Sequence, residues 1–141
     1  MAYTTIDDPT IYFQTELWSS VDTSIDTINF APDWVWIKSR TNADGHVLFD
    51  IVRGANERLT SSNTTDLRIT SDELTSFNSD GYTLGTGDNV NRSGHNYVSW
   101  NWKAGGSASS NSDGSITSNV SVSTTAGFSI VSYAGNNTAG A

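Results

Sequence analysis

Two acidic pairs, Asp7-Asp8 and Asp72-Glu73, are where paired carboxylates could serve acid–base chemistry in this sequence. Glycoside hydrolysis needs two carboxylates flanking a cleft. The first pair stands near the N-terminus and the second in a turn-like stretch, neither on a strand of alternating acids, so both read as solvated turn residues. His46 and His95 could pair with Asp44 or Asp88, but no serine has the setting of a nucleophile turn. Cysteine is absent, which removes thiol nucleophiles, thiolate metal sites and disulfides together. The expectation is a non-enzyme without a cofactor.

Two loops offer oxygen donors of the kind calcium takes: Asp88-Asn-Val-Asn91, with Asp88 and Asn91, and Asn111-Ser-Asp-Gly114, with Asn111 and Asp113. Neither completes a calcium-loop motif, and Asx-rich turns arise from backbone needs alone, so no metal is assigned. Sugars dock by stacking C–H faces on aromatic rings, with polar side chains meeting the hydroxyls. Tyr82 and Tyr97 are the aromatics freest to lie at the surface and so the glycan candidates. Trp34, Trp36, Trp100 and Trp102 sit in the strongest apolar stretches, and with Val98 they are expected to form the core.

The elements that hold these residues follow from composition and period. Only 16% of the 141 residues are charged, while five Trp, five Tyr and five Phe provide large buriable area. Thr favours strands, and Asn, Ser and Gly favour tight turns. Strands are expected at 12–18, 25–30, 34–38, 46–50 with a short continuation at 57–60, 67–70, 75–77, 81–85, 97–103 and 127–133, and 115–123 alternates weakly through Ile116, Val120 and Val122. In 97–103, Val98, Trp100 and Trp102 face one way and Tyr97, Ser99 and Asn101 the other. In 34–38 both faces are apolar. Arg53 between two strands suggests an ion pair with Asp50 or Asp33, and Gly54 a bend. Short strands separated by turn chemistry, with no sustained helical period, give an all-β, antiparallel β-sandwich.

A net charge of −8 with seven dispersed basic residues speaks against a nucleic-acid module. No apolar run approaches the ~18 residues of a membrane span. Residues 1–106 are read as the β-sandwich domain and 107–126 as a Ser/Gly/Asn-rich linker or extension. Phe128…Tyr133 repeats the spacing of Phe13…Trp18, so residues 127–141 read either as the first strand of an incomplete second repeat or, within 115–133, as the completion of the first sandwich.

Four segments in order carry a resemblance: Asn29-Phe-Ala-Pro-Asp-Trp-Val-Trp-Ile-Lys-Ser-Arg40, Leu48-Phe-Asp-Ile-Val-Arg-Gly-Ala55, Thr75-Ser-Phe-Asn-Ser-Asp-Gly-Tyr-Thr-Leu-Gly85 and Tyr97-Val-Ser-Trp-Asn-Trp-Lys-Ala-Gly-Gly106. Their wording resembles a family of uncharacterised domains in structural proteins of marine tailed phages, including cyanophages. The opening Met1-Ala-Tyr-Thr-Thr-Ile-Asp-Asp-Pro9 looks like the start of such proteins. Leu17-Trp-Ser-Ser20 departs from the pattern, where many relatives carry a Tyr-Thr-Gly-Asn type of turn. The resemblance implies a concanavalin-like jelly roll in a virion protein, most simply the anchoring part of a homotrimeric tail fibre. A capsid or tail decoration protein and a carbohydrate-binding adhesin are the alternatives. The implied partners are other virion proteins of tail or capsid, with host glycan contact through distal domains, and neither nucleic acid nor membrane insertion.

Overall fold

The computed structural model describes residues 7–20, 23–62 and 68–138. Those residues form antiparallel sheets throughout, with one turn of 3-10 helix at Pro9–Ile11 and a four-residue helix α1 at Asp88–Asn91. The strands are β1 (Phe13–Ser19), β2 (Ser24–Ile25), β3 (Trp34–Ser39), β4 (Val47–Asp50), β5 (Gly54–Thr60) and β6 (Arg68–Ile69). They continue with β7 (Leu74–Asn78), β8 (Gly81–Leu84), β9 (Asn96–Trp102), β10 (Ser109–Asn111), β11 (Ser118–Ser123) and β12 (Phe128–Tyr133). A six-stranded sheet runs β1-β9-β3-β4-β5-β6, and two three-stranded sheets run β2-β8-β7 and β10-β11-β12. The all-β expectation holds. Leu67, expected to open a strand, lies outside the described residues, as do Met1–Ile6.

One face of the six-stranded sheet builds the core. Val35 and Ile37 from β3, Val47 and Phe49 from β4, Tyr97 from β9 and Trp18 from β1 point the same way. They share one buried cluster with Ile25, Leu74, Tyr82 and Leu84 of the β2-β8-β7 sheet. Trp18 stacks on Tyr97 at 5.5 Å and 16°, and its indole N–H donates to the Val90 carbonyl at 3.2 Å. Within the small sheet β8 runs close against β2 at the β7–β8 turn, where a Cβ on Gly81 would lie 1.7 Å from the Ile25 carbonyl oxygen. Ile28 and Phe30, expected within a strand, leave it after Ile25 yet remain buried. Ile28 instead bonds through its N–H to the Asp80 carbonyl.

The expected core of Trp34, Trp36, Val98, Trp100 and Trp102 is not the core. All five are half-buried on the opposite, outer face. Alternation correctly divides β9 into two faces, but the face turned inward is Tyr97, Ser99 and Asn101, all fully buried. Small polar residues can be buried when they satisfy one another. Ser99 accepts from Tyr82 Oη at 2.8 Å and from Asn101 Nδ2 at 2.9 Å, and Asn101 also donates to the Gln14 carbonyl at 3.0 Å. Their small size leaves room for the Tyr82 ring. Tyr82 and Tyr97, expected near the surface, are consequently both enclosed.

The stretch 107–126, expected as linker or extension, carries β10 and β11. β12, expected to begin a further repeat, pairs with β11 from Ser118↔Tyr133 to Ser123↔Phe128. This third sheet docks on the rest at several points. Asp33 Oδ2 accepts from the N–H groups of Ala104 (2.7 Å) and Gly106 (3.2 Å), holding the chain as it leaves β9. Gly105 N–H donates to the buried Ser121 Oγ, and a Cβ on Gly105 would meet the Val122 carbonyl oxygen at 2.2 Å. Phe128 stacks on Trp34 at 5.5 Å and 10°.

Candidate functional site

The acids do not assemble a hydrolytic pair. Asp8 is exposed and caps the 3-10 turn, accepting from Thr10 N–H (2.9 Å) and Thr10 Oγ1 (2.6 Å), bonds that hold its carboxyl below the ordinary value. Asp72 is exposed. Glu73, expected as a solvated turn acid, is buried: it pairs with Arg58 and accepts from Asn89 Nδ2 at 2.8 Å. A buried carboxylate next to a buried guanidinium is a structural ion pair whose members need each other. His46 Nδ1 accepts from Trp36 Nε1 at 2.9 Å, and His95 Nδ1 bonds Thr41 Oγ1 at 3.2 Å, so each histidine is engaged away from the acids expected beside it.

The calcium candidates fall into two local pairings. Asp88 Oδ2 accepts from Arg92 Nη2 at 3.1 Å, and Asn91 Nδ2 donates to the Gly85 carbonyl at 2.9 Å. Asn111 Nδ2 donates to Asp113 Oδ2 at 3.0 Å while Asp113 N–H returns to Asn111 Oδ1 at 3.2 Å, an exposed Asx turn. Among the described residues no group of three or more His, Cys, Asp or Glu side chains is placed to hold a metal ion. Arg53 does bridge Asp50, at 2.5 Å, and Asp50 Oδ1 also accepts from the Val52 and Arg53 N–H groups in the β4–β5 bend.

The outer face of the six-stranded sheet gathers unused chemistry. Strand register sets its side chains in rows. Phe13, Trp102 and Trp34 stand in one, and Thr15, Trp100, Trp36, Leu48 and Leu59 in the next. Ring centroids along the first row are 4.9 and 5.0 Å apart, and Phe128 from β12 caps it by stacking on Trp34 and Trp102. The second row stays open. Trp36 and Trp100 meet edge to face at 5.8 Å and 63°, and with Trp102 they line a recess of about 250 Å³. A second hollow of about 220 Å³ lies where β12 passes over Trp34, Leu48 and Leu59.

Rigid strands hold these rings, and a hydrogen bond fixes one of them through His46. Of the five indole N–H groups, those of Trp18 and Trp36 have acceptors; those of Trp34, Trp100 and Trp102 have none among the described residues. Such a surface can stack a flat or ring-shaped ligand and donate hydrogen bonds at its rim. The β3 and β9 alternation contained this outer face, but hydrophobicity alone assigned it to the interior. A usable signal was the pairing of two small polar residues, Ser99 and Asn101, opposite two tryptophans.

A family model described as a domain of unknown function, DUF7483, matches residues 8–141. No curated protein and no solved structure matches the chain. The chain belongs to the family that the model describes.

Proposed function

We propose that this member of the DUF7483 family is a structural domain of a tailed-phage virion, the anchoring part of a tail fibre, closed as a concanavalin-like jelly roll. The phage-protein resemblance of the four ordered segments supports the setting. The observation that carries an assembly role is the exposed apolar face of the β10-β11-β12 sheet. Val122, Val131 and Tyr133 there are 52%, 51% and 67% exposed, and register aligns Val120 with Val131. Contiguous exposed apolar side chains mark surfaces that a protein partner covers. Asp8 caps a turn, Glu73 is held in an ion pair and both histidines are hydrogen-bonded, which favours architecture over catalysis.

Labelling virions with antibody raised against residues 1–141 tests the setting, with density expected where the fibre joins the tail. Density on the capsid would replace the fibre by a decoration protein, and particles lacking the chain would overturn the reading. Light scattering on the purified chain is expected to give a trimer. Tyr133→Asp, which puts charge on the apolar face, should shift it towards monomer.

A further inference from the structure

The recess of Trp36, Trp100 and Trp102 differs from an ordinary bare sheet face in three respects. It is bounded on one side, because Phe128 stacks over the adjoining row on Trp34 and Trp102. Its donors are unspent, because the Trp100 and Trp102 indole N–H groups have no acceptor among the described residues. It is also uncharged: the residues paired in register with Trp100 and Trp36 are Thr15 and Leu48. The nearest cation in the next row, Lys38, already donates its ammonium to the Ser39 and Asn42 carbonyls.

We propose that this recess binds one pyranose ring of a neutral oligosaccharide. A pyranose presents a C–H face that stacks on an indole, and equatorial hydroxyls that accept from indole N–H groups at the ring edge. The edge-to-face pair of Trp36 and Trp100 offers one ring face as a floor and another as a wall. The bond to His46 Nδ1 holds Trp36 in place before ligand arrives, which lowers the entropy lost on binding. Charge selects the ligand class. A chain of net charge −8 repels anionic polysaccharide and nucleic acid, whereas a neutral sugar meets only the uncharged recess. Dimensions select against a protein, since about 250 Å³ holds a small ring system and lies below the usual size of drug-sized pockets. The site goes beyond the virion role and stands without it.

The test probes the 141-residue chain on an array of neutral and acidic glycans, then titrates the strongest neutral oligosaccharide by calorimetry. Neutral glycans should bind, Trp100→Ala and Trp36→Ala should each weaken binding roughly tenfold or more, and Tyr133→Ala should leave it unchanged. If either alanine variant unfolds, the indole N–H resonances of the intact protein decide instead. Those of Trp100 and Trp102 should move on adding the sugar while that of buried Trp18 stays still. Binding of acidic glycans alone, binding indifferent to Trp100 and Trp36, or unmoved Trp100 and Trp102 resonances would overturn the proposal. So would the absence of any neutral ligand, including a case where Trp100→Ala instead breaks a dimer seen by sedimentation. None of these results bears on where the chain sits in a particle.

Discussion

The two faces of β3 and β9 are made by the same strands and have opposite fates. The inner face buries Val35, Ile37, Tyr97, Ser99 and Asn101, while the outer face leaves Trp34, Trp36, Trp100 and Trp102 partly in water. The bulkier and more apolar face is therefore the exposed one. Burial here follows fit: valine, isoleucine and a serine–asparagine pair interlock with Tyr82 and Leu84 of the opposing sheet, where indoles of twice the width would not. Exposed aromatic bulk is then the feature that calls for a use.

Substitutions measure that contrast directly. Tyr97→Ala removes a buried ring stacked on Trp18 and a hydroxyl bonded to the Arg92 N–H and the Asp88 carbonyl. It should cost about 3–5 kcal/mol in urea unfolding, the range for a deleted core aromatic. Trp100→Ala, on the outer face of the same strand, should cost less, about 1–2 kcal/mol, because its ring stays in partial contact with water. Equal losses for these two variants would erase the distinction between the faces.

Tyr82→Phe deletes one buried hydrogen bond, to Ser99, and should cost about 1 kcal/mol near neutral pH. Burial raises the Tyr82 hydroxyl far above its ordinary value, against the opposing pull of the Ser99 bond. Unfolded tyrosines ionise from about pH 10, while Tyr82 keeps its proton in the fold. Its contribution is thus complete below that pH and lost progressively above it. Urea midpoints followed from neutral to alkaline pH should fall less steeply in Tyr82→Phe than in the parent. Buried Tyr97, raised in the same direction, should keep part of the slope. The smallest effect is expected for Tyr133→Ala on the exposed face of β12, within about 0.5 kcal/mol at dilutions where the chain is monomeric.

Strand existence was legible wherever alternation was strong: β1, β3, β9 and β12 all lie within a residue or so of their expected spans. Which face of β9 turns inward was not legible, because period two separates faces without signing them. Nor was the docking of β10 to β12. Its Ser, Thr and Asn content is that of a linker, and its attachment depends on Phe128 finding Trp34 and on a glycine, Gly105, thin enough to admit Val122. The Arg53–Asp50 bridge was legible since both residues flank one bend, whereas Arg58 and Glu73 meet only through the packing of β5 against the start of β7. The recess drew its three rings from two strands that sequence did place, and its openness came from tertiary packing that sequence did not.

Asp33 gives the fold something beyond local attachment. Its N–H donates to the Trp102 carbonyl, its carbonyl accepts from Ile51 N–H, and its carboxylate holds Ala104 and Gly106. Sliding β3 by one residue against β9 would turn Trp34 and Trp36 into a core shaped for Val35 and Ile37 and would carry the Lys38 ammonium inward. Fit and charge both oppose that alignment, and Asp33, which engages both neighbouring strands, adds a polar pin to them. Asp33 thus acts as a registration mark for the sheet. Asp33→Ala keeps the two backbone bonds and deletes the carboxylate, so faster amide exchange is expected at Ala104 and Gly106 while the β3–β9 register stands.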